Sequence, residues 1–269
     1  PLARLGDWVK TTVPGTDIPA RREVDTMPGA AGSSWYFLRF IDPTNQEAFC
    51  APDLAAHWLP VDLYLGGAEH AVGHLIYSRF WTKFLFDLGL CAVDESYARL
   101  VNQGMILGED NRKMSKRYGN VVNPNDVVAD VGADSLRIYE MSMGPIEAEK
   151  PWSTASLQGS WRFLGRIWRL FFDDDTDAFL PALQDVEPSE AQWRLLAKTI
   201  AKVSDDTENL RFNTAISQMT IFTNEMTKET VRPRAILKPF VLLLSPYAPH
   251  MAEELWKRLG HSESLAFHP

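Results

Sequence analysis

The spacing of apolar residues changes character once along this chain, at about residue 156. Before that point, short apolar runs are cut by Pro and Gly. Beyond it, apolar residues recur every three or four positions, the period of a helix with one buried face. In the first 34 residues Pro14-Gly15, Pro19, Pro28-Gly29 and Gly32-Ser33-Ser34 set turns, so strands there are short, with Arg21-Arg22-Glu23-Val24-Asp25 a candidate strand or hairpin arm. The aromatic run from Trp35 to Ile41 stops at Asp42-Pro43 and predicts a buried helix or strand. Val61 to Gly67 reads as a buried strand, Asp62-Leu63-Tyr64-Leu65, ending in Gly66-Gly67. A long amphipathic helix follows: Ala71, Leu75, Ser78 and Thr82 trace one row, while Val72, Ile76, Phe80, Phe84 and Leu85 form the apolar face and Gly89 caps the end. Residues 100–107 supply a second strand.

Farther on, Val122 to Val127 is a turn leading into a short helix, and Gly132 to Met141 opens another that Asp134 or Ser135 can cap, broken by Gly144-Pro145. Four helical stripes follow: Trp161, Leu164, Ile167, Trp168 and Phe171; Trp193, Leu196 and Ile200; Phe212, Ile216, Met219 and Phe222; Ile236, Phe240 and Leu243. Pro246 to His250 interrupts them before a last helix, Met251 to Leu259, which His250 starts. No strand pattern survives beyond 156. The expected architecture is α/β followed by all-α, with residues 1–150 as the second half of a nucleotide-binding α/β domain and 151–269 as an antiparallel helical bundle, its linkers at Asp173-Asp174-Asp175 and Pro181 to Pro188.

Composition narrows the class. No apolar run approaches the roughly 18 residues needed to span a membrane. Cys50 and Cys91 are the only cysteines, without a CxxC, which argues against a disulfide framework or zinc ribbon and suits a reducing cytoplasm. A formal charge of −8 means that any RNA contact must rest on local basic patches. One is a strip of Arg162, Arg166 and Arg169 at four- and three-residue spacing; its plain alternative is a solvated face.

The densest patch is Asn111-Arg112-Lys113-Met114-Ser115-Lys116-Arg117-Tyr118-Gly119-Asn120, with four basic residues in the six from Arg112 to Arg117. Two lysines three positions apart, with a small hydroxyl residue between them, can bring two ammonium groups and an O–H donor onto one polyphosphate. Taken alone, a mobile basic turn explains it as well. A strand, a glycine turn and a helix opening with Glu69-His70 are also the parts of a doubly wound ligand site, where ligands sit beyond the strands' carboxyl ends.

Read together, these stretches resemble a known family. Lys113-Met114-Ser115-Lys116-Arg117 resembles the KMSKS signature of class I aminoacyl-tRNA synthetases, departing where Arg117 stands in place of the usual Ser. Gly66-Gly67-Ala68-Glu69-His70-Ala71-Val72-Gly73-His74 is similar to the leucyl branch; isoleucyl and valyl relatives usually differ after the glycines. Asp25 to Arg39 resembles the segment that re-enters the catalytic domain after the leucyl editing insertion. Asn102 to Leu107 and Gly132 to Arg137 also match, and Leu244 to Trp256 resembles the closing helices of the anticodon-binding bundle.

What the resemblance implies is a leucine–tRNA ligase piece: half of a Rossmann-type catalytic domain plus the bundle, without the HIGH half, the editing domain and the C-terminal tail. It implies ATP and leucine as substrates, Mg²⁺ accompanying ATP, tRNA(Leu) as partner, a monomer, no membrane and a cytoplasmic location. Lys113 and Lys116 would stabilise charge on the phosphates, Lys116 touching ATP directly, with Ser115 a nearby donor. Met114 and the Ile106 backbone would border the adenine. Gly66 and Gly67 would let the ribose approach, Glu69 would accept from its hydroxyls with His70 beside the nucleotide, and His74 would wall the leucine pocket. Arg117, Arg162, Arg166 and Arg169 would face tRNA. His70 and His74 share metal-ligand spacing, but the Glu of HExxH is replaced by Ala71, and no metal site is expected. The rivals are an isoleucyl or valyl enzyme, or an RNA-binding module without catalysis. The isolated chain is expected not to activate leucine.

Overall fold

The computed structural model describes residues 1–27 and 29–268. The Pro28 half of the expected Pro28-Gly29 turn lies outside the described residues. The chain divides into two compact units, Pro1–Asn102 and Gln103–Pro269.

In the first unit, a single-turn helix α1 (Gly6–Val9) leads into an antiparallel hairpin of β1 (Lys10–Thr12) and β2 (Pro19–Arg21). The hairpin arm thus ends at Arg21, where the expected arm begins. A 3₁₀ stretch, Gly29–Ser34, precedes α2 (Tyr36–Ile41) and α3 (Pro52–Trp58). The aromatic run is therefore a helix, and only Phe37 and Leu38 of it are buried while Phe40 is exposed. They join Cys50, Ala55, Leu59 and Cys91 in the unit's small core. Strand β3 (Tyr64–Leu65), helix α4 (Ile76–Asp87) and strand β4 (Leu100–Val101) form a parallel β-α-β unit, with Tyr64 opposite Leu100. Gly89 follows α4 with φ +70°, the left-handed C-cap its position predicts.

Of the apolar face expected for the helix, only Leu85 packs on the unit's core, and most of the rest is exposed. Val72 is 84% exposed and Phe80 54%, with Ile76 and Phe84 also exposed, whereas Leu75, Ser78 and Thr82 are buried. The neighbours of α4 are the small residues of Gly29–Ser34, and close approach favours hydroxyls that bond internally. Ser78 donates to the His74 carbonyl at 2.8 Å, and Thr82 bonds the Ser78 carbonyl (2.9 Å) and Ser96 Oγ (2.8 Å).

In the second unit, β5 (Ile106–Leu107) is followed by the basic loop, α5 (Pro124–Val131), α6 (Ala133–Ser142) and β6 (Lys150–Pro151), which pairs parallel with β5. The single strand expected over 100–107 is two separate strands, one in each unit. Gly104 marks the break: a Cβ there would collide with the Ala148 carbonyl, and its N–H donates to the Ile146 carbonyl at 2.8 Å. Then come α7 (Thr154–Trp168), β7 (Leu183–Gln184), α8 (Glu190–Glu208), α9 (Phe212–Lys228), β8 (Arg232–Pro233), α10 (Arg234–Leu244) and α11 (Pro249–Arg258). The parallel β7–β8 pair corrects the expectation of no strand beyond 156; two residues each are too short to show a period.

Leu164, Ile167, Phe171, Leu196, Ile216, Met219, Phe222, Ile236 and Phe240 reach the core as their stripes predict. Trp161, Trp193 and Ile200 are exposed and Leu243 only partly buried, because each stripe is wider than the face its helix presents. Ile138 of α6 belongs to this core, which therefore draws on residues before 151 as well as on the bundle after it. Ser189 and Gln192 close a capping box on α8. The expected self-cap of α6 is absent: Asp134 is buried and accepts from the backbone N–H of His250 (3.3 Å) and Met251 (2.7 Å), capping α11 instead. His250 adds Nδ1 to Asp134 Oδ1 at 3.0 Å and is a helix-start residue, one position after Pro249.

Candidate functional site

Each unit carries its own group of candidate residues. In the first, β3 ends at Gly66-Gly67, and a 3₁₀ turn (Ala68–His70) and a π-helical turn (Ala71–Leu75) carry the chain into α4. The wide π turn turns His74 inward, a placement associated with functional positions. A Cβ on Gly66 would overlap the Tyr64 ring, and one on Gly67 would displace the Glu69 carboxylate. Glu69 is half-exposed, and its Oε1 lies 4.0 Å from His70 Nε2.

His74 sits in an aromatic cluster. Tyr36 stacks on it at 5.8 Å between ring centroids, Tyr64 lies at 5.5 Å, and His70 meets it edge-on at 6.3 Å. Ser34, fully buried, donates its hydroxyl hydrogen to the Ala30 carbonyl at 2.5 Å, so its lone pairs face His74 Nδ1 at 3.2 Å. That fixes the proton on Nδ1 and leaves Nε2 as an acceptor, with Tyr97 Oη 3.5 Å away. Burial, and then the proximity of His70, lower the His74 pKa below its ordinary value, which favours the neutral ring. Burial also pushes the Tyr97 hydroxyl up to about 12.

The second group is the basic loop. Its stem is a backbone clasp in which the Gly108 N–H donates to the Arg112 carbonyl at 2.8 Å, with a left-handed Asn111 at the tip (φ +58°). Asn120 ties the loop shut. Its Oδ1 accepts from the Ser115 N–H (2.9 Å), while its Nδ2 donates to Asp110 Oδ1 (3.0 Å) and reaches the Lys113 carbonyl (3.4 Å). A Cβ on Gly108 would press on that amide, so glycine permits the closure. Met114 and Ile106 pack together against Val127, Val131, Tyr139, Trp152 and Leu157, anchoring the loop on an apolar cluster.

The loop's four cations divide in two. Arg112 pairs with Asp110 at 2.7 Å and lies over the Tyr118 ring at 4.7 Å, and Arg117 reaches the same ring at 6.0 Å. The side chains of Lys113 and Lys116 are exposed, and their ammonium groups have no hydrogen-bond or ion-pair partner among the described residues. The arginines brace the loop, and the lysines are left for an anion. Ser115 spends its hydroxyl oxygen accepting from the Arg117 N–H at 3.2 Å.

The strip on α7 is not uniform. Arg162 is exposed. Arg166 is half-buried over the Phe163 ring at 5.6 Å, with a buried Nε that has no hydrogen-bond partner, and Arg169 pairs with Asp174 at 3.1 Å. Sequence reasoning missed Asn120, Tyr36, Tyr64 and Tyr97 as neighbours of these groups: Asn120 stands in the loop as a turn former, Tyr36 and Tyr64 lie in apolar runs, and no pattern marks Tyr97. Among the described residues no group of three or more His, Cys, Asp or Glu could hold a metal, and no helix is long and apolar enough to cross a membrane.

Residues 51–152 match the family described as tRNA synthetases class I (I, L, M and V), and residues 191–269 match the anticodon-binding domain of tRNA ligase. The chain belongs to the class I tRNA synthetases. Within them it is similar along its whole length to the leucine–tRNA ligase of Leptospira biflexa, at 54% identity over 269 residues, and it spans 31% of that relative's length. A solved Agrobacterium radiobacter K84 LeuRS, in a ternary complex with tRNA and LeuAMS, matches over 100% of this chain and 36% of its own, with 35% identity and a TM-score of 0.80. A methionyl-tRNA synthetase of Mycobacterium tuberculosis, in complex with methionyl-adenylate, shares the fold at 16% identity over 93% of this chain and 52% of its own, with a TM-score of 0.63.

Proposed function

We propose that this chain serves a leucine–tRNA ligase as the phosphate-binding half of its adenylation site together with its anticodon-binding bundle, the first taken over residues 1–150 and the second over 151–269. The leucine carboxylate attacks the α-phosphate of ATP, forming leucyl-adenylate and releasing pyrophosphate. A terminal ribose hydroxyl of tRNA(Leu) then takes the leucyl group and AMP leaves. The observation that carries this reading is the pair of unpartnered ammonium groups, Lys113 and Lys116, on a loop braced by Asn120 and two arginines. Little covalent chemistry falls to such a protein; it positions the reactants and stabilises charge developing on the phosphoryl oxygens.

Lys116 contacts the phosphates directly and Lys113 supports it, with Ser115 at the turn between them. Met114 and the Ile106 backbone border the adenine, a role their shared apolar cluster suits. Gly66 and Gly67 let the ribose approach, Glu69 accepts from its hydroxyls, and His70 stands beside the nucleotide. His74, neutral and stacked among tyrosines, presents the apolar face that a branched alkyl side chain fits. Arg117 and the α7 arginines meet tRNA phosphates, Arg169 least because Asp174 already holds it. Mg²⁺ enters as the counter-ion of ATP, with no carboxylate cage offered by the described residues. The ligase works as a cytoplasmic monomer. The similarity to leucine–tRNA ligases favours this reading over an isoleucyl or valyl enzyme.

The test is leucine-dependent ATP–pyrophosphate exchange by the complete ligase, with isoleucine and valine as competitors. Leucine should be preferred, and Lys116→Ala should lower exchange about a hundredfold, or about 3 kcal/mol of transition-state binding. Exchange that survives the substitution would remove the loop from the site, and preference for another amino acid would overturn the substrate.

A further inference from the structure

The basic loop is braced from within by Asn120 and Asp110, and the turn at its stem also reaches outside it. Leu107 is flanked by Lys113, in an antiparallel bridge, and by Pro151 of β6, and its carbonyl accepts the Trp152 N–H at 2.9 Å. Two residues on, Glu109 Oε1 accepts both the backbone N–H (3.1 Å) and the hydroxyl hydrogen (2.9 Å) of Thr154, the first residue of α7 and 45 positions away. With its hydrogen so committed, the Thr154 hydroxyl oxygen accepts from Trp152 Nε1 at 3.2 Å. The two bonds from Thr154 hold the Glu109 carboxyl below the usual carboxylate range, so it is ionised at neutral pH.

Helix α7 does not need this carboxylate as its cap. Ser153 fills that position, its Oγ accepting from the Ser156 N–H at 3.3 Å, while its own N–H donates to Tyr139 Oη at 2.6 Å. The Thr154 N–H is a first-turn donor on an exposed helix start, which water satisfies as well. What the Glu109 bonds add is a cross-link from the loop stem to α7. Asp110, the neighbouring carboxylate, is spent inside the loop on Arg112 and Asn120. The stem and the start of α7 also rest on one apolar cluster, Ile106 and Met114 beside Trp152 and Leu157, so the tether spans two segments that are already packed together.

We infer that Glu109 is a positioning residue for the phosphate step: by tethering the stem to Thr154 it fixes where the Lys113 and Lys116 ammonium groups are held, so the loop is already ordered when ATP binds. The inference rests on the reading of the loop as the phosphate-binding element; the tether itself does not. Its effect should fall on ATP rather than on leucine, and should vanish once the lysine it positions is gone. A residue that only holds the fold together would act equally with or without that lysine.

The test is ATP–pyrophosphate exchange by the complete ligase carrying Glu109→Ala, Glu109→Gln, Lys116→Ala, or Glu109→Ala together with Lys116→Ala. Glu109→Ala should lower kcat/KM for ATP about tenfold and leave the KM for leucine as it is. On top of Lys116→Ala the same change should cost less than about twofold. Glu109→Gln, whose amide oxygen still accepts from Thr154, should recover most of the loss. Full activity of Glu109→Ala, an equal loss with and without Lys116, or a Glu109→Gln as slow as Glu109→Ala overturns the proposal. If Lys116→Ala by itself leaves exchange intact, the phosphate reading of the loop has failed, and hydrogen exchange over residues 108–120 decides the tether: amides there that exchange faster in Glu109→Ala than in the wild type or Glu109→Gln support it, and unchanged exchange overturns it. Should Glu109→Ala fail to fold by circular dichroism, Thr154→Val replaces it in the same cycle: a loss that needs Lys116 supports the tether, and no loss overturns it.

Discussion

Phe222 and Phe80 are phenylalanines on amphipathic helices in the same chain, with opposite fates. Phe222 is fully buried and stacks on Phe240 at 4.3 Å, whereas Phe80 is 54% exposed and stacks only along its own helix, on Phe84 at 6.5 Å. Helices α6 to α11 supply one another's cover from residues close in sequence, so the 103–269 unit builds a continuous core. The 1–102 unit has one two-residue parallel pair and a six-residue core, leaving Ile76, Phe80 and Phe84 of α4 exposed. A helical bundle completes itself locally, while half of a layered α/β fold needs a second layer to bury its apolar face.

That contrast is broken most directly by truncating both rings. Phe222→Ala should cost about 3–5 kcal/mol in denaturant unfolding, from lost burial and the cavity left behind. Phe80→Ala should stay within about 0.5 kcal/mol, as for an exposed site, and should reduce binding of a hydrophobic dye such as ANS. Equal costs would mean that something covers α4 in solution.

A smaller effect tests how the bundle's last helix is held. Asp134 accepts the N–H groups of both His250 and Met251, and Arg137, one turn along, donates to the carbonyls of Pro246 (2.7 Å) and Tyr247 (3.2 Å). Asp134→Ala leaves two helix-start donors unmet near a buried site and should cost about 1–3 kcal/mol by the same unfolding measurement. A loss below about 0.5 kcal/mol, the range of an ordinary surface change, would show that water replaces the carboxylate without penalty.

The Asp134 cap shows where reading the sequence stops. Asp134 after Gly132-Ala133 has the local signature of a cap for its own helix, but the donors it meets lie 116 and 117 positions away, and no local pattern encodes that. The bundle was legible because helical period and core face coincide at Ile216, Met219, Phe222, Ile236 and Phe240. The α4 face was misread because apolar spacing records what a helix can bury, and the Gly29–Ser34 stretch selected its hydroxyl row. In the loop, charge singled out Lys113 and Lys116, but only the fold separates them from the arginines that brace it. Resemblance singled out His74; its tyrosine neighbours went unmarked, since Tyr36, Tyr64 and Tyr97 come from a helix, a strand and a loop.

His74 gives the smallest effect and the most specific to the open unit. Burial holds its folded pKa below the ordinary value of about 6.5, whereas the unfolded chain titrates normally. Between the lowered folded pKa and 6.5 the unfolded state binds more protons than the folded one, so stability rises with pH through that window. This part of the stability is fully present above 6.5 and is lost as pH falls. The unit 103–269 has its own lowered histidine, His261, so a global melt would mix the two. Hydrogen exchange read on amides of residues 1–102 separates them. Protection there should fall between pH 7.5 and 5.5, after correction for intrinsic exchange. His74→Asn, whose amide nitrogen can still donate to Ser34, should flatten that dependence while keeping most of the protection at pH 7.5. If the variant keeps the wild-type slope, His74 titrates as an ordinary surface histidine, and the proton assigned to Nδ1 by Ser34 does not govern the pocket.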